Sequence, residues 1–363
     1  MTTEPEIISA LEHAVALGER SVQVAAYLGN DLLVDASIGP APPDAVFPLF
    51  SMGKAFTALA VHVQAERGLL DLDAPLADVW SEYGNAGKQA ITPAMVLAHR
   101  AGVPQVPGWL TPQRLGEWDA ITAALAGEEP LYLPGSTNAY HSMSFGWLLG
   151  EAVRRTDPQQ RPFGQFVADE LCTPLGADAL WLGIPTEVAP RVARLDYPDS
   201  PPTPPPDALV HRVVPSAVSL GPDAFNLLET QRACVPAVGA IGNARSAARL
   251  FSILAVGGRD LVSARRIEAM LHPRPEFEKP DLVYGRPLPV GVGGLWIDAP
   301  GVVAPERRGS ILSHLGAGGT VGWAELDLGL SVAICHDRMF GSVAEHPFGR
   351  LAEAVRSVAA AHS

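Results

Sequence analysis

Lysine is nearly absent from this 363-residue chain: only Lys54, Lys88 and Lys279 stand among its 26 basic residues. Bases are short altogether, with 39 acids and a formal net charge of −13. Such a surface repels polyanions, so nucleic acid and anionic membrane are excluded as partners. Cysteine is scarce too. Cys172, Cys234 and Cys335 are far apart and odd in number, so they offer neither a disulfide framework nor zinc spacing, and a reducing compartment fits. No run of about 18 apolar residues exists to span a membrane. The N-terminus lacks the basic start and apolar stretch of a secretion signal. These absences lead us to expect a cytoplasmic protein acting on small molecules, with its oligomeric state left open.

Several catalytic signatures are also missing. No G-x-S-x-G surrounds a serine, which excludes the α/β-hydrolase elbow. There is no H-E-x-x-H, no Cys/His cluster and no phosphate-binding or dinucleotide glycine motif. No metal or cofactor is therefore expected.

A large core can be built, because 47% of the residues are hydrophobic. The length suits one large α/β unit or two smaller ones. Apolar periodicity predicts a helix over 5–18, and alternation predicts a hairpin over 21–28 and 32–37. A helix over 52–67 is apolar nearly all round and so belongs in a core. Further helices are expected at 93–99, 112–126, 144–156, 162–172 and 243–256, and a closing helix at 342–361. Strands are expected at 288–297, 309–315, 319–326 and 329–336, with connections short enough for antiparallel pairing. The resulting fold class is α/β: an antiparallel sheet built from both chain ends and flanked by helices, plus a mostly helical domain. We assign 1–75 and 245–363 to the first and 76–244 to the second. The Pro-rich segment 185–223 is read as a surface excursion within the second.

Three segments could carry chemistry. Ser51-Met52-Gly53-Lys54 opens the buried helix. Residues three apart share a helix face, so Lys54 stands beside the Ser51 hydroxyl. A serine needs a neighbour to take its proton, and a lysine desolvated in apolar surroundings is pushed toward its neutral, basic form. The free N–H groups of a helix start also suit a developing oxyanion. Lys88 (GNAGKQ) and Lys279 (EFEKPD) lie in polar runs and read as solvent positions. Tyr140-His141-Ser142 sits in a loop before a helix, where its side chains can reach a cleft. Tyr83-Gly84-Asn85 is a rival for the same role, but lies close after Ser51 in a polar stretch. Ser313-His314-Leu315-Gly316-Ala317-Gly318-Gly319 turns one strand into the next, and its missing side chains let a ligand approach the backbone. There the Ala317 N–H is the candidate second oxyanion donor, and His314 a candidate ligand for a carboxylate or ester oxygen. His62, inside the apolar helix, reads as a satisfied core residue. Trp109, Trp147 and Trp323 read as core more than as substrate wall.

Taken together, FSMGKAFTALAVHVQAERGLLDLDAPLADVW (50–80), VLAHRAGVP (96–104), PGSTNAYHSMSFGWLLGEAVRR (134–155) and SHLGAGGTVGWAELDLGLSVAICHDRM (313–339) resemble the serine β-lactamase and penicillin-binding-protein superfamily. They are most similar to its class C β-lactamase-like esterases, the family VIII carboxylesterases. The resemblance spans roughly residues 20–357. It implies Ser51 as nucleophile, Lys54 as its partner and Tyr140 as general base, with the N–H groups of Ser51 and Ala317 holding the oxyanion. It places Ser142, His314 and Gly316 at substrate-binding positions.

The resemblance departs from the lactam-cleaving members at two points. Their Lys-Thr-Gly is replaced by His314-Leu315-Gly316, and the Asn of Tyr-x-Asn by Ser142. In those members the Lys grips a substrate carboxylate and the Asn an amide. The implied activity is therefore a serine carboxylesterase acting through a Ser51 acyl-enzyme on a small-molecule ester. Its rivals are an acyltransferase passing the acyl group to an alcohol or amine, a β-lactamase or D-peptidase, and a catalytically dead binding protein.

Overall fold

The computed structural model describes residues 4–198, 204–205, 207–341 and 345–362. Residues 199–203 and 206 of the Pro-rich segment, and 342–344 of the expected last helix, lie outside the described residues.

Strands β1 (Val22–Leu28) and β2 (Asp31–Ile38) form the expected hairpin. β3 (Phe47–Phe50), β4 (Leu180–Leu182) and β5 (Ala240–Gly242) follow, then β6 (Ile311–Leu315), β7 (Val321–Glu325) and β8 (Leu330–His336). The main sheet has the order β2-β1-β8-β7-β6 and is antiparallel throughout. It joins the two chain ends through β1 and β8, as the fold-class reading expected. Helix α1 (Pro5–Ala16) opens the chain and α2 (Gly53–Glu66) follows β3. Next come α3 (Trp118–Gly127), α4 (Ser144–Thr156), α5 (Ala244–Ala255) and, at the end, α6 (Gly349–His362).

The central strands are buried on both faces, and strand alternation assigns each residue to a layer. Val22, Val24, Val332 and Ile334 pack under α1 and α6. Ala25, Ala333 and Cys335 face the other way, into the core shared with α2 and α5. That second face is lined by small residues, so α5 lies close across β1, β7 and β8. All three cysteines are free thiols. Among the described residues no helix is long and apolar enough to cross a membrane.

Several sequence expectations change. Residues 288–297 form no strand. They are held by single bridges, Val290 to Trp296 and Trp296 to Ser313, because Pro289 and the Gly291, Gly293 and Gly294 cluster break any ladder. The helix expected over 112–126 is a 3-10 turn (Pro112–Arg114) and then α3, interrupted at Gly116. The helix expected over 162–172 passes into a π turn at Ala168–Cys172. A second sheet of order β3-β5-β4 was not foreseen, since runs of three or four apolar residues carry no readable period.

Lys88 reverses its expected solvent position. It is fully buried, and its Nζ donates to Ala126 O at 2.9 Å and to Glu128 O. These carbonyls close the C-terminus of α3, where a cation complements the unpaired carbonyls and the helix dipole. Lys279 is exposed as expected and pairs with Glu276 at 2.6 Å. We predict that Lys88→Ala, which strands two carbonyls in the interior, lowers unfolding stability by roughly 2–4 kcal/mol. Urea denaturation measures this, and a loss under about 0.5 kcal/mol, the level of an ordinary surface substitution, would contradict the structural role.

Candidate active site

The site begins where β3 turns into α2. Phe50 has φ +48, a left-handed conformation costly for a non-glycine residue. Its ring is held against Phe225 at 4.6 Å. This sharp turn leaves Ser51 at the edge of a cavity of about 300 Å³. Gly53–Gln64 of α2 is buried without a break, so Lys54 has no route to solvent.

Lys54 Nζ lies 3.1 Å from Ser51 Oγ, 2.7 Å from Ser142 O and 3.0 Å from Ala237 O. Burial, with no paired carboxylate among the described residues, holds its ammonium well below the ordinary lysine value. Two glycines make the arrangement possible. A Cβ on Gly53 would sit 2.8 Å from Pro236 O, and one on Gly146 would sit 2.3 Å from Ala237 N. Their absence lets residues 236–237 pass between α2 and α4 and present Ala237 O to the lysine. Thr57 Oγ1 secures the passage by donating to Pro236 O at 3.1 Å.

Tyr140 lies over Lys54, with Nζ 5.0 Å from the ring centroid. Its ring stacks on His99 at 4.3 Å and meets Tyr284 edge-on at 5.5 Å. Burial raises its phenol well above 10 and Tyr284 adds to this, while the nearby Ser51 hydroxyl pulls the other way. Tyr140 is a phenol, not a phenolate, in the resting site.

The glycine segment also reaches the cavity. Gly316, Ala317, Gly318 and Gly319 line it. The backbone N–H groups of Ser51 and Ala317 donate to no acceptor among the described residues, so both are free for a ligand oxygen.

Two expected substrate contacts are corrected. Ser142 and His314 are buried and do not line the cavity. Ser142 contributes its carbonyl to Lys54. His314 Nδ1 donates to Leu315 O at 3.0 Å, which leaves the lone pair on Nε2, 3.5 Å from the Tyr140 hydroxyl. Burial lowers His314 to about 3, so it is neutral and acts as an acceptor. Tyr83, the rival tyrosine, is buried away from the cavity and stacks on Trp80 at 4.9 Å. His62 is a core residue bonded to Gly293 O at 3.0 Å.

Sequence reading missed much of the cavity wall: Leu220, Tyr284, Arg286, Trp296, Phe340 and His346. Trp147 and Trp323 are core, and Trp109 is outside the cavity with Arg114 over its ring at 4.0 Å. Only the concentration of Tyr, Arg and Pro in VYGRPLP (283–289) marked the missed wall, and it has no spacing rule to single it out.

A buried ion pair supports this wall. Asp281 and Arg274 are 3.3 Å apart with no exposure on either side chain. Asp281 Oδ1 accepts from Tyr140 N at 3.0 Å and from Val283 N at 3.0 Å. Arg274 donates to Ala98 O at 3.2 Å, next to His99. One carboxylate thus ties Tyr140 to the Tyr284 segment. We predict that Asp281→Ala, which leaves the Arg274 charge buried and alone, costs about 3–5 kcal/mol of stability. Replacing both members with apolar residues of similar volume should cost less than the single change, and chemical denaturation of the three proteins tests the ordering.

Comparison with known proteins finds similar sequences and structures. Residues 7–355 match the Beta-lactamase family model. Esterase/beta-lactamase LipL of Mycobacterium tuberculosis is 30% identical over 344 residues, covering 87% of this chain and 76% of that protein. The crystal structure of a family VIII carboxylesterase aligns with TM-score 0.85 at 26% identity, over 98% of each chain. EstA from Arthrobacter nitroguajacolicus aligns with TM-score 0.87 at 25% identity, over the whole of both chains.

Proposed function

The chain belongs to the β-lactamase family, and on that premise we propose that it is a serine carboxylesterase working through a Ser51 acyl-enzyme. One observation carries the reading: Lys54 is buried, has no acid partner among the described residues, and holds its nitrogen on Ser51 Oγ between two carbonyls. A neutral amine has two N–H bonds and one lone pair. Ser142 O and Ala237 O accept the two N–H bonds, which turns the lone pair toward the Ser51 hydroxyl.

Lys54 then takes the Ser51 proton as Oγ attacks the ester carbonyl. The oxyanion is received by the free N–H groups of Ser51 and Ala317. Collapse of the tetrahedral intermediate expels the alkoxide. Tyr140, kept as a phenol by burial, donates the proton it needs, and the proton held by Lys54 restores the phenol. The resemblance implies a basic Tyr140. The burial of both groups supports the opposite division, with Lys54 as base and Tyr140 as acid. Water repeats the cycle on the acyl-enzyme. His314 accepts from the Tyr140 hydroxyl and so orients it. The seam between the 1–75 plus 245–363 part and the 76–244 part is our proposed place for the reaction, because each part supplies groups to it. The ester-cleaving names of the similar proteins, Esterase/beta-lactamase LipL and the family VIII carboxylesterase, support this reading.

We predict that Ser51→Ala lowers kcat/KM on short-chain nitrophenyl esters by about 10³-fold or more. A fluorophosphonate should label the wild type at Ser51 and leave this variant unlabelled. Activity surviving the substitution on every ester would refute the reading.

The pH profile is a separate test. The base form is neutral Lys54, so kcat/KM should rise with pH, with its midpoint below the ordinary lysine value of 10.5. Tyr140 stays protonated to above 10, so no falling limb from its ionisation is expected below that pH. A midpoint at or above 10.5 would show that Lys54 is not the base.

A further inference from the structure

Among the described residues, the cavity wall holds one permanent charge, and it is positive: Arg286 lines the cavity, and no described Asp or Glu does. The other ionisable groups of the wall are neutral at pH 7. Burial lowers His346 to about 4, and Tyr140 and Tyr284 are both raised. The Arg286 side chain makes no ion pair among the described residues, whereas Arg20, Arg245, Arg274 and Arg356 each take an acid. In a chain of net charge −13, acids to pair with are abundant.

The backbone of Arg286 is fixed. Asp281 N donates to Arg286 O at 3.0 Å and Gly285 N to Asp281 O at 2.7 Å, closing a tight turn. Gly285, at φ +66, permits that turn. Leu282 N donates to Asn138 O at 3.0 Å, and the buried Asp281 ties the same turn to Tyr140. Arg286 is therefore held at a set position relative to the tyrosine above Ser51. An exposed guanidinium with no ion pair among the described residues, carried on this fixed turn beside an otherwise uncharged wall, offers a planar fork of donors that matches a carboxylate.

We propose that Arg286 is an anion-recognition residue and that the esters this chain takes carry a carboxylate, on the acyl or the alcohol side. The proposal rests on the serine-ester reading above.

The test compares matched esters with and without a carboxylate. One arm places it on the acyl side (nitrophenyl hydrogen glutarate against nitrophenyl valerate). The other places it on the leaving group (4-carboxyphenyl butyrate against phenyl butyrate). In at least one arm wild type should favour the carboxylate ester in kcat/KM by about tenfold or more, the size of one well-placed charge-assisted pair. Arg286→Gln should collapse that ratio toward one, and Arg286→Lys should keep part of it. Raising salt should erode the preference. No preference in either arm, or one that survives Arg286→Gln, overturns the proposal. If no ester is turned over, the serine-ester reading fails instead. The anion site is then judged by titrating monomethyl glutarate into wild type and Arg286→Gln, where tighter binding to wild type supports it and equal affinity overturns it.

Discussion

A buried lysine without an acid partner among the described residues organises this molecule. Lys54 is surrounded by apolar helix and reaches only three oxygens: the Ser51 hydroxyl and the carbonyls of Ser142 and Ala237. A charged ammonium there is penalised by desolvation, which holds the lysine well below its ordinary value. In the proposed mechanism its amine form offers one lone pair to one hydroxyl. The buried length of α2, the glycines that admit residues 236–237 and the route of the chain before α4 all serve to bring those oxygens to one nitrogen.

Around that nitrogen the protein spends polar groups sparingly. The histidines near Tyr140 are neutral: burial holds His99 well below its usual value and His141 and His314 at about 3. Arg274, buried beside the site, is matched by Asp281. That pair does structural work twice over, fixing the backbone of Tyr140 and the turn that carries Tyr284 and Arg286. Two residues of the site, Phe50 and His99, adopt left-handed conformations, and the packing of their rings on Phe225 and Tyr140 offsets the cost. These contacts place the groups of the site in advance, which suits a reaction relying on free backbone N–H groups.

Much of this was legible in the residues. Long periodic segments announced α1, α2, α4 and α5, and alternation announced the β1–β2 hairpin and β6 to β8. Ser51 and Lys54 were legible because helix geometry alone puts residues three apart on one face. Short segments were not. β3, β4 and β5 are too brief to show a period, and the proline and glycine residues of 288–297 outweighed its apolar character. Lys88 misled because its neighbours are polar. Its burial follows from the end of α3, 38 residues on, a contact that no local pattern records.

The sequence by itself determined which groups could react: a serine and lysine on one turn of an apolar helix, a tyrosine before another, and glycines where a backbone must be approached. Local geometry suffices for that, since spacing along a helix or strand dictates which side chains are neighbours. Only the tertiary structure decided what those groups are. It pushed Lys54 toward the amine by burial, and kept Tyr140 a phenol by burying it between His99 and Tyr284. It kept His314 and Ser142 out of the cavity lining, and it brought Arg286 to the cavity. Protonation and access depend on distance in space from water and charge, and residues far apart in the chain set those distances.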